Sequence, residues 1–319
     1  MKKVLLGAVF ALGLTVSAQA EPLKIGIAQF GPHPQLDAVV EAFKAEIAAE
    51  GLSDVTYDYG HVNFDPALIP QLVQKIKAGN PNLLLTITTP LSQGAKQVMK
   101  DSGIPIVFSA VTDPVAAKLV PSWDKGDADM TGASDLQNMD GVLEFIRKLL
   151  PDAKTIGFPY NPGEDNDVVA MQLIKDLAPK HGFEVAEVGV DNANDIPIRI
   201  ASLKGKADVI YVPGSNLIQP AISAVASAAD QAGIPIVNSS EDSVVDHRTL
   251  ASFAVNYSQV GRNAAKLAVA ILKDKKSPAE LAPIKPAYED HATMVSAKQL
   301  AKYNVTLPKD LEGCGCIAE

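Results

Sequence analysis

Gly103-Ile104-Pro105-Ile106-Val107 recurs letter for letter at Gly233-Ile234-Pro235-Ile236-Val237. In both places the pentapeptide follows a helix-like run that itself follows a short apolar strand. Upstream, Asn82-Leu83-Leu84-Leu85-Thr86-Ile87 leads through Thr88-Thr89-Pro90 into a helical pattern from Leu91 to Asp101. Downstream, Asp208-Val209-Ile210-Tyr211-Val212 leads through Pro213-Gly214-Ser215-Asn216 into Leu217 to Ala232. Each copy is a βαβ unit, and the repetition predicts two similar lobes. Each is an open parallel sheet whose strand ends face a shared crevice, a geometry that holds a small molecule.

With 319 residues and 47% hydrophobic content, the chain can fill two cores of ordinary size. Residues 1–20 have the layout of a secretory leader: Lys2-Lys3, an apolar run from Val4 to about Val16, then Ser17-Ala18-Gln19-Ala20 before the expected cleavage. The mature chain is therefore expected to start at Glu21 in the periplasm, with no Cys there to carry a lipid. There are 28 basic and 37 acidic side chains, and loss of Lys2 and Lys3 tips the balance further. Such a charge, without any basic stripe, argues against a nucleic-acid or anionic-membrane partner. The two cysteines, Cys314 and Cys316, flank Gly315 near the end of the chain. A disulfide is chemically open to them in an oxidising compartment, but it would staple almost nothing, and the expectation is a frayed tail.

Along the chain, strand-like and helix-like patterns alternate. Lys24 to Ala28 ends at Gln29-Phe30-Gly31-Pro32-His33-Pro34, a loop no helix tolerates. Leu36, Val39, Val40, Phe43 and Ile47 then recur at helical spacing up to Gly51. The alternation completes a first lobe by about residue 136 and restarts after Pro151, and the chain passes back between lobes after about residue 252. The expected organisation is residues 21–136 with 253–278 in one lobe, and 137–252 with 279–319 in the other.

The loops leaving the strands are polar. Thr88-Thr89-Pro90 sets hydroxyls before a proline at the start of a helix, where free N–H groups attract an anion such as a carboxylate, although plain helix capping uses the same residues. Asp113, Glu164 or Glu241 could hold an ammonium group, and Asp113, rigidly placed before Pro114, is the preferred one. His33, His61, His181, His247 and His291 show no zinc-ligand spacing, and there is no Gly-x-Ser-x-Gly elbow or Gly-rich phosphate loop. Neither a metal nor a cofactor is expected.

Six motifs occur in order: Gly26-Ile27-Ala28-Gln29, His33-Pro34-Gln35-Leu36-Asp37, Thr88-Thr89-Pro90, Val111-Thr112-Asp113-Pro114-Val115, Thr131-Gly132-Ala133-Ser134-Asp135 and Tyr160-Asn161-Pro162-Gly163-Glu164-Asp165-Asn166. In these the chain resembles the ABC-transporter substrate-binding family that includes tryptophan- and tyrosine-binding lipoproteins. The resemblance implies a type I periplasmic-binding-protein fold, an α/β architecture of two Rossmann-like lobes with parallel sheets that closes like a flytrap. It also implies a cleft lined by Gln29, His33 and Leu36, by Thr88 and Thr89, by Thr112 and Asp113, and by Asn161, Glu164 and Asn166. Where the family usually reads Thr-Asp-Asn, this chain has Gly214-Ser215-Asn216, so Ser215 and Asn216 join the set and a carboxylate is lost.

The sequence thus reads as an exported monomeric receptor that binds a small polar molecule, such as an aromatic or other amino acid, and hands it to an inner-membrane ABC permease. The alternative is an envelope enzyme acting on a small molecule, which would need a nucleophile or metal constellation.

Overall fold

The computed structural model describes residues 22–319. The secretory leader and its cleavage after Ala20 lie outside the described residues. The first lobe contains β1 (Leu23–Gln29), α1 (Pro34–Ala49), β2 (Val55–His61), α2 (Ile69–Ala78), β3 (Leu83–Ile87), α3 (Thr89–Met99), β4 (Ile106–Ser109) and β5 (Met130–Ala133). Its strands form a wholly parallel sheet in the order β2-β1-β3-β4-β5. The chain then runs through α4 (Met139–Leu149), β6 (Thr155–Tyr160), α5 (Asp165–Leu177), β7 (Glu184–Gly189), α6 (Ile196–Ala201), β8 (Val209–Val212), α7 (Ile222–Ala232), β9 (Ile236–Asn238), α8 (Asp242–Val245) and β10 (Ala251–Val255). After α9 (Tyr257–Leu272) come β11 (His291–Ser296), α10 (Ala297–Tyr303) and β12 (Ile317–Ala318). The second sheet has the order β12-β11-β10-β9-β8-β6-β7, with β11 antiparallel to β10.

Two-sided burial explains why the strands read as continuous apolar runs. Side chains alternate across a strand, so Leu83, Leu85 and Ile87 of β3 face α1 and α9, while Leu84 packs with Ile76, Leu91 and Met99 under α2 and α3. The second lobe repeats the scheme. Phe158 and Tyr211 pack with Leu143 and Ile146 on one face, and Ile210 and Val212 with Ile200 and Val225 on the other. Each lobe is a three-layer sandwich, and the duplicated pentapeptide supplies β4 in one and β9 in the other.

Three crossovers join the lobes. The first links β5 to α4 and the second lies at Asn256, because β10 stays in the second sheet through Val255, opposite His291. The segment after α9 remains with the first lobe as far as Ile284, which bridges Ala133 beside β5, and then returns to β11. The sheet membership therefore moves the two later boundaries, expected after 252 and 278, a few residues toward the C-terminus. Gly261 of α9 rides directly on α1, and a Cβ there would lie 2.4 Å from the Val39 carbonyl.

The end of the chain is not frayed. Cys314 and Cys316 are disulfide-bonded, Cys316 packs against the second core, and Ile317–Ala318 pair as β12 with β11. The pairing covers the edge of β11, which would otherwise expose unpaired backbone groups.

Candidate functional site

The C-terminal ends of the strands of both sheets converge on a narrow cavity. The first lobe contributes His33, Gln35 and Leu36 at the start of α1, Phe64 after β2, Thr88 and Thr89 at the start of α3, and Ala110 and Thr112 after β4. The second contributes Asn166 and the turn from Gly214 to Pro220, and the crossovers supply Asp135 and Tyr257. Phe64 reaches the cavity by lying across Gly31, where a Cβ would fall 2.5 Å from its ring. A second, narrow chamber adjoins it on the side of the crossover from β5.

Strain concentrates at the cavity wall. Thr88 has φ 92° and ψ 157°, and Ala110 has φ 52°. Both residues end strands of the first sheet. A threonine in such a conformation costs on the order of 1–3 kcal/mol and persists where the surroundings impose it, which is typical of ligand clamps. The consequence is visible at the hydroxyls. Those of Thr88 and Thr89 are buried and have no hydrogen-bond partner in the protein, and Thr88 makes no side-chain cap. Helix capping therefore does not account for the pair. They stand beside the N-terminus of α3, whose first N–H groups and dipole favour negative charge.

Opposite in chemistry is Asp135. Its carboxylate is buried, accepts from Thr112 Oγ1 at 3.1 Å and from the Tyr257 hydroxyl at 2.7 Å, and retains lone pairs for a further donor. Burial pushes this carboxyl above its ordinary range, against the lowering effect of those two bonds. An ammonium group beside it would reverse that shift. His33 caps α1 by accepting from the Gln35 amide at its Nδ1, 3.3 Å away, which requires the neutral ring. Burial lowers its pKa, Asp242 and Asp37 opposing.

Several expected contacts are placed elsewhere. Gln29 is fully buried behind the wall, donating to Asp37 Oδ1 at 2.7 Å and so fixing the start of α1. Asp113 does not face the cavity. Its carboxylate accepts from the Val115 and Ala116 amides at 2.9 and 3.0 Å, as an aspartate that starts a turn does. The ammonium role expected of it fits Asp135 instead. Glu164 also lies behind the lining and is saturated by the second lobe: its oxygens accept from Asn161, Asn166, the Asn216 amide and side chain, and the Leu217 amide. It clamps the loop after β6 to the loop after β8. Asn161 belongs to that clamp, its own side-chain oxygen receiving the Gly163 amide. His33, Leu36, Thr88, Thr89, Thr112, Asn166, Ser215 and Asn216 do come together around the cavity.

Ser215 stands next to Asp167, to which it hydrogen-bonds, and its Oγ accepts from the Ile218 amide. Asp167 is held well above the usual carboxylate range, first by burial and then by the Glu164 charge. A third carboxylate at position 215 would add repulsion. The serine fits because these two acids already crowd the turn.

Asp135, Phe64, Gln219 and Tyr257 are among the lining residues that the sequence reading left out. Asp135 closes a motif that runs out of β5, so inspection of that strand's end would have found it. Gln219 follows β8 and Tyr257 follows β10, but each opens a helical turn whose apolar pattern does not mark it as lining a cavity.

The lobes touch across the cleft. Gln35 Nε2 donates to the Ser239 carbonyl at 3.1 Å, and Gln93 Nε2 to Asp165 Oδ2 at 2.7 Å. These bonds run from α1 and α3 to the second lobe and place the molecule in a closed arrangement.

The architecture is that of type I periplasmic binding proteins. A tyrosine-binding protein of Clostridioides difficile is 35% identical over 254 residues, 79% of this chain and 73% of that protein. Among solved structures, an ABC domain from Streptococcus pneumoniae in complex with L-Trp matches with a TM-score of 0.85 and 28% identity over 91% of this chain and 97% of that one. The ligand-free, open structure of a substrate binding protein with adhesive properties from Clostridium difficile matches at 0.70, with 32% identity over 90% and 97%. The better fit to the liganded relative agrees with the closed lobes. The family model described as ABC transporter substrate binding protein matches residues 24–313, and this chain belongs to that family of solute-binding proteins, which are not enzymes.

Proposed function

We propose that the protein is the periplasmic receptor of an ABC importer, that it binds an aromatic α-amino acid as a zwitterion, and that it acts as a monomer delivering this ligand to an inner-membrane permease. The observation that carries the ligand class is the polarity of the cavity. Unpartnered hydroxyls at a helix N-terminus stand ready for a carboxylate, and the Asp135 carboxylate stands ready for an ammonium. Leu36, Phe64 and Pro220 complete an apolar lining, and the names of the relatives point to aromatic amino acids.

Binding proceeds by closure. Thr88 and Thr89 belong to the first lobe, Asn166 and Ser215 to the second, and Asp135 to a crossover between them, so only the closed state offers every contact at once. A ligand that gains contacts in that state shifts the population toward it.

The test is calorimetric titration of ligand-stripped protein with L-tryptophan, L-tyrosine, L-phenylalanine, their methyl esters and their N-acetyl derivatives. The free amino acids are expected to bind with one site per chain, and each blocked form to lose at least tenfold. A hundredfold excess over Kd should add about 2.7 kcal/mol of stability. Equal affinity for the blocked forms, or no binding of any amino acid, refutes the assignment.

A further inference from the structure

We infer that the second chamber is the side-chain subsite of the cleft, and that the Tyr211 hydroxyl and the Gln137 side-chain carbonyl select ligands whose ring carries a hydrogen-bond donor. The inference rests on the amino-acid reading above and adds what that reading leaves open: where the side chain goes and what reads it.

The two chambers share Thr112, Asp135, Asn166, Gly214 and Tyr257, whereas Thr88 and Thr89 line only the outer one. A zwitterion with its carboxylate at the threonines and its ammonium at Asp135 therefore has its Cα at the doorway. Its side chain then faces the inner chamber. The walls there are apolar, formed by Leu136, Met139, Ala170, Leu173 and Pro213, and suit a flat ring.

Besides the shared residues, three polar side chains interrupt those walls: Asp167, whose oxygens already accept from the Asn161 amide and Asn166, Tyr211 and Gln137. Tyr211 is fully buried, its ring packed 6.0 Å from that of Phe158, and its hydroxyl has no partner in the protein. The Gln137 side-chain oxygen is likewise buried and unpartnered. Buried polar groups in native proteins are nearly always bonded, and each exception calls for an explanation. Among the described residues, Thr86 pairs with Ser92, Ser243 with Thr249, and Tyr257 with Asp135, whereas the hydroxyls of Thr88, Thr89, Ser109 and Ser252 share the unpartnered state of Tyr211, and of these only Tyr211 lines the inner chamber. A carbonyl oxygen can only accept and a phenol can do either. The ligand that satisfies both supplies a donor from its ring, as a phenol O–H or an indole N–H does and a phenyl group does not. Sites built around a substrate donor discriminate strongly against the analogue lacking it, because their own buried groups are then left unpaired.

The experiment compares L-tyrosine, L-tryptophan and L-phenylalanine by titration against wild type, Tyr211→Phe and Leu173→Trp. Wild type is expected to hold tyrosine and tryptophan at least tenfold tighter than phenylalanine. Tyr211→Phe, which removes an unpartnered hydroxyl and keeps the ring, should fold normally and reduce that preference to less than threefold. Leu173→Trp, checked for folding by circular dichroism, fills the chamber and should weaken all three ligands at least a hundredfold. If Tyr211→Phe keeps the full preference, or wild type holds phenylalanine as well as tyrosine, the subsite is refuted while the amino-acid function stands. Tight binding by folded Leu173→Trp places the ring elsewhere and has the same meaning. If wild type binds no amino acid, the function and the subsite fall together.

Discussion

The Tyr257 hydroxyl donates to the Asp135 carboxylate across 2.7 Å, joining the crossover that leaves β5 to the first residue of the helix that follows the return crossover. The bond holds the carboxylate at the cavity wall from the crossovers that join the lobes. Asp135→Asn should weaken an amino-acid ligand by about 2–5 kcal/mol, the usual cost of truncating one partner of a buried charge pair. Tyr257→Phe should cost less, about 1 kcal/mol, because Thr112 still holds the acid. Titration of both variants checks the order, and equal affinities for wild type and Asp135→Asn would sink the ammonium contact.

The same carboxyl sets a pH dependence. Burial raises the pKa of Asp135, and burial with the Glu164 charge raises that of Asp167. A group raised in the folded state contributes stability that is present below its unfolded pKa and is lost as pH rises through the folded value. Ligand-free protein should therefore lose these contributions as pH climbs from about 4 through the raised values. The ligand-induced rise in Tm should grow over the same window, since an ammonium binds the ionised acid. Scanning calorimetry with and without ligand measures both, and in Asp135→Asn the ligand-induced rise should no longer depend on pH there.

Thr89→Val separates binding from folding. The hydroxyl is buried without a partner, so its replacement by a methyl should leave the ligand-free protein as stable or more stable by up to about 1 kcal/mol. Amino-acid affinity should fall by roughly 1–3 kcal/mol. A parallel loss of stability would mean that the hydroxyl serves the fold.

The bond from Gln93 to Asp165 spans the cleft between α3 and α5. Gln93→Ala removes an exposed contact made only in the closed state, so it should speed ligand release by up to about tenfold, about 1.4 kcal/mol, with little change in association rate. Stopped-flow fluorescence resolves the two rates. A change confined to association would count against a latch.

Gly261→Ala probes the first lobe alone. The added methyl would meet the Val39 backbone, which cannot swing away as a side chain can. Overpacking of this kind costs about 1–3 kcal/mol, and thermal unfolding should show it with ligand affinity per folded molecule unchanged.

Much of this molecule is written locally. The apolar runs at Leu83 to Ile87 and Val209 to Val212, each followed by helix-opening residues, specify βαβ units, because a strand buried on both faces and a helix with one apolar stripe have distinct periods. The rule that ligands gather at the carboxyl ends of strands then brings Thr88, Thr89, Thr112, Asn166 and Ser215 into view. What sequence leaves undetermined is which strand-end polar groups remain unspent. Asp113 and Glu164 look as fit to bind a cation as Asp135 does, yet the amides of Val115 and Ala116 hold Asp113 Oδ1 in a turn outside the cavity lining, and the loop of Asn216 and Leu217, 52 and 53 residues away, saturates Glu164. Asp135 lines the cavity and keeps capacity because only the side chains of Thr112, from the loop after β4, and Tyr257, at the return crossover, reach it. Tyr211 reads as an ordinary core residue of β8 until packing shows its hydroxyl buried without a partner beside the cleft. Periodicity is a property of neighbours along the chain and fixes the elements. Hydrogen-bond saturation depends on distant segments meeting in space, and only the tertiary structure decides it.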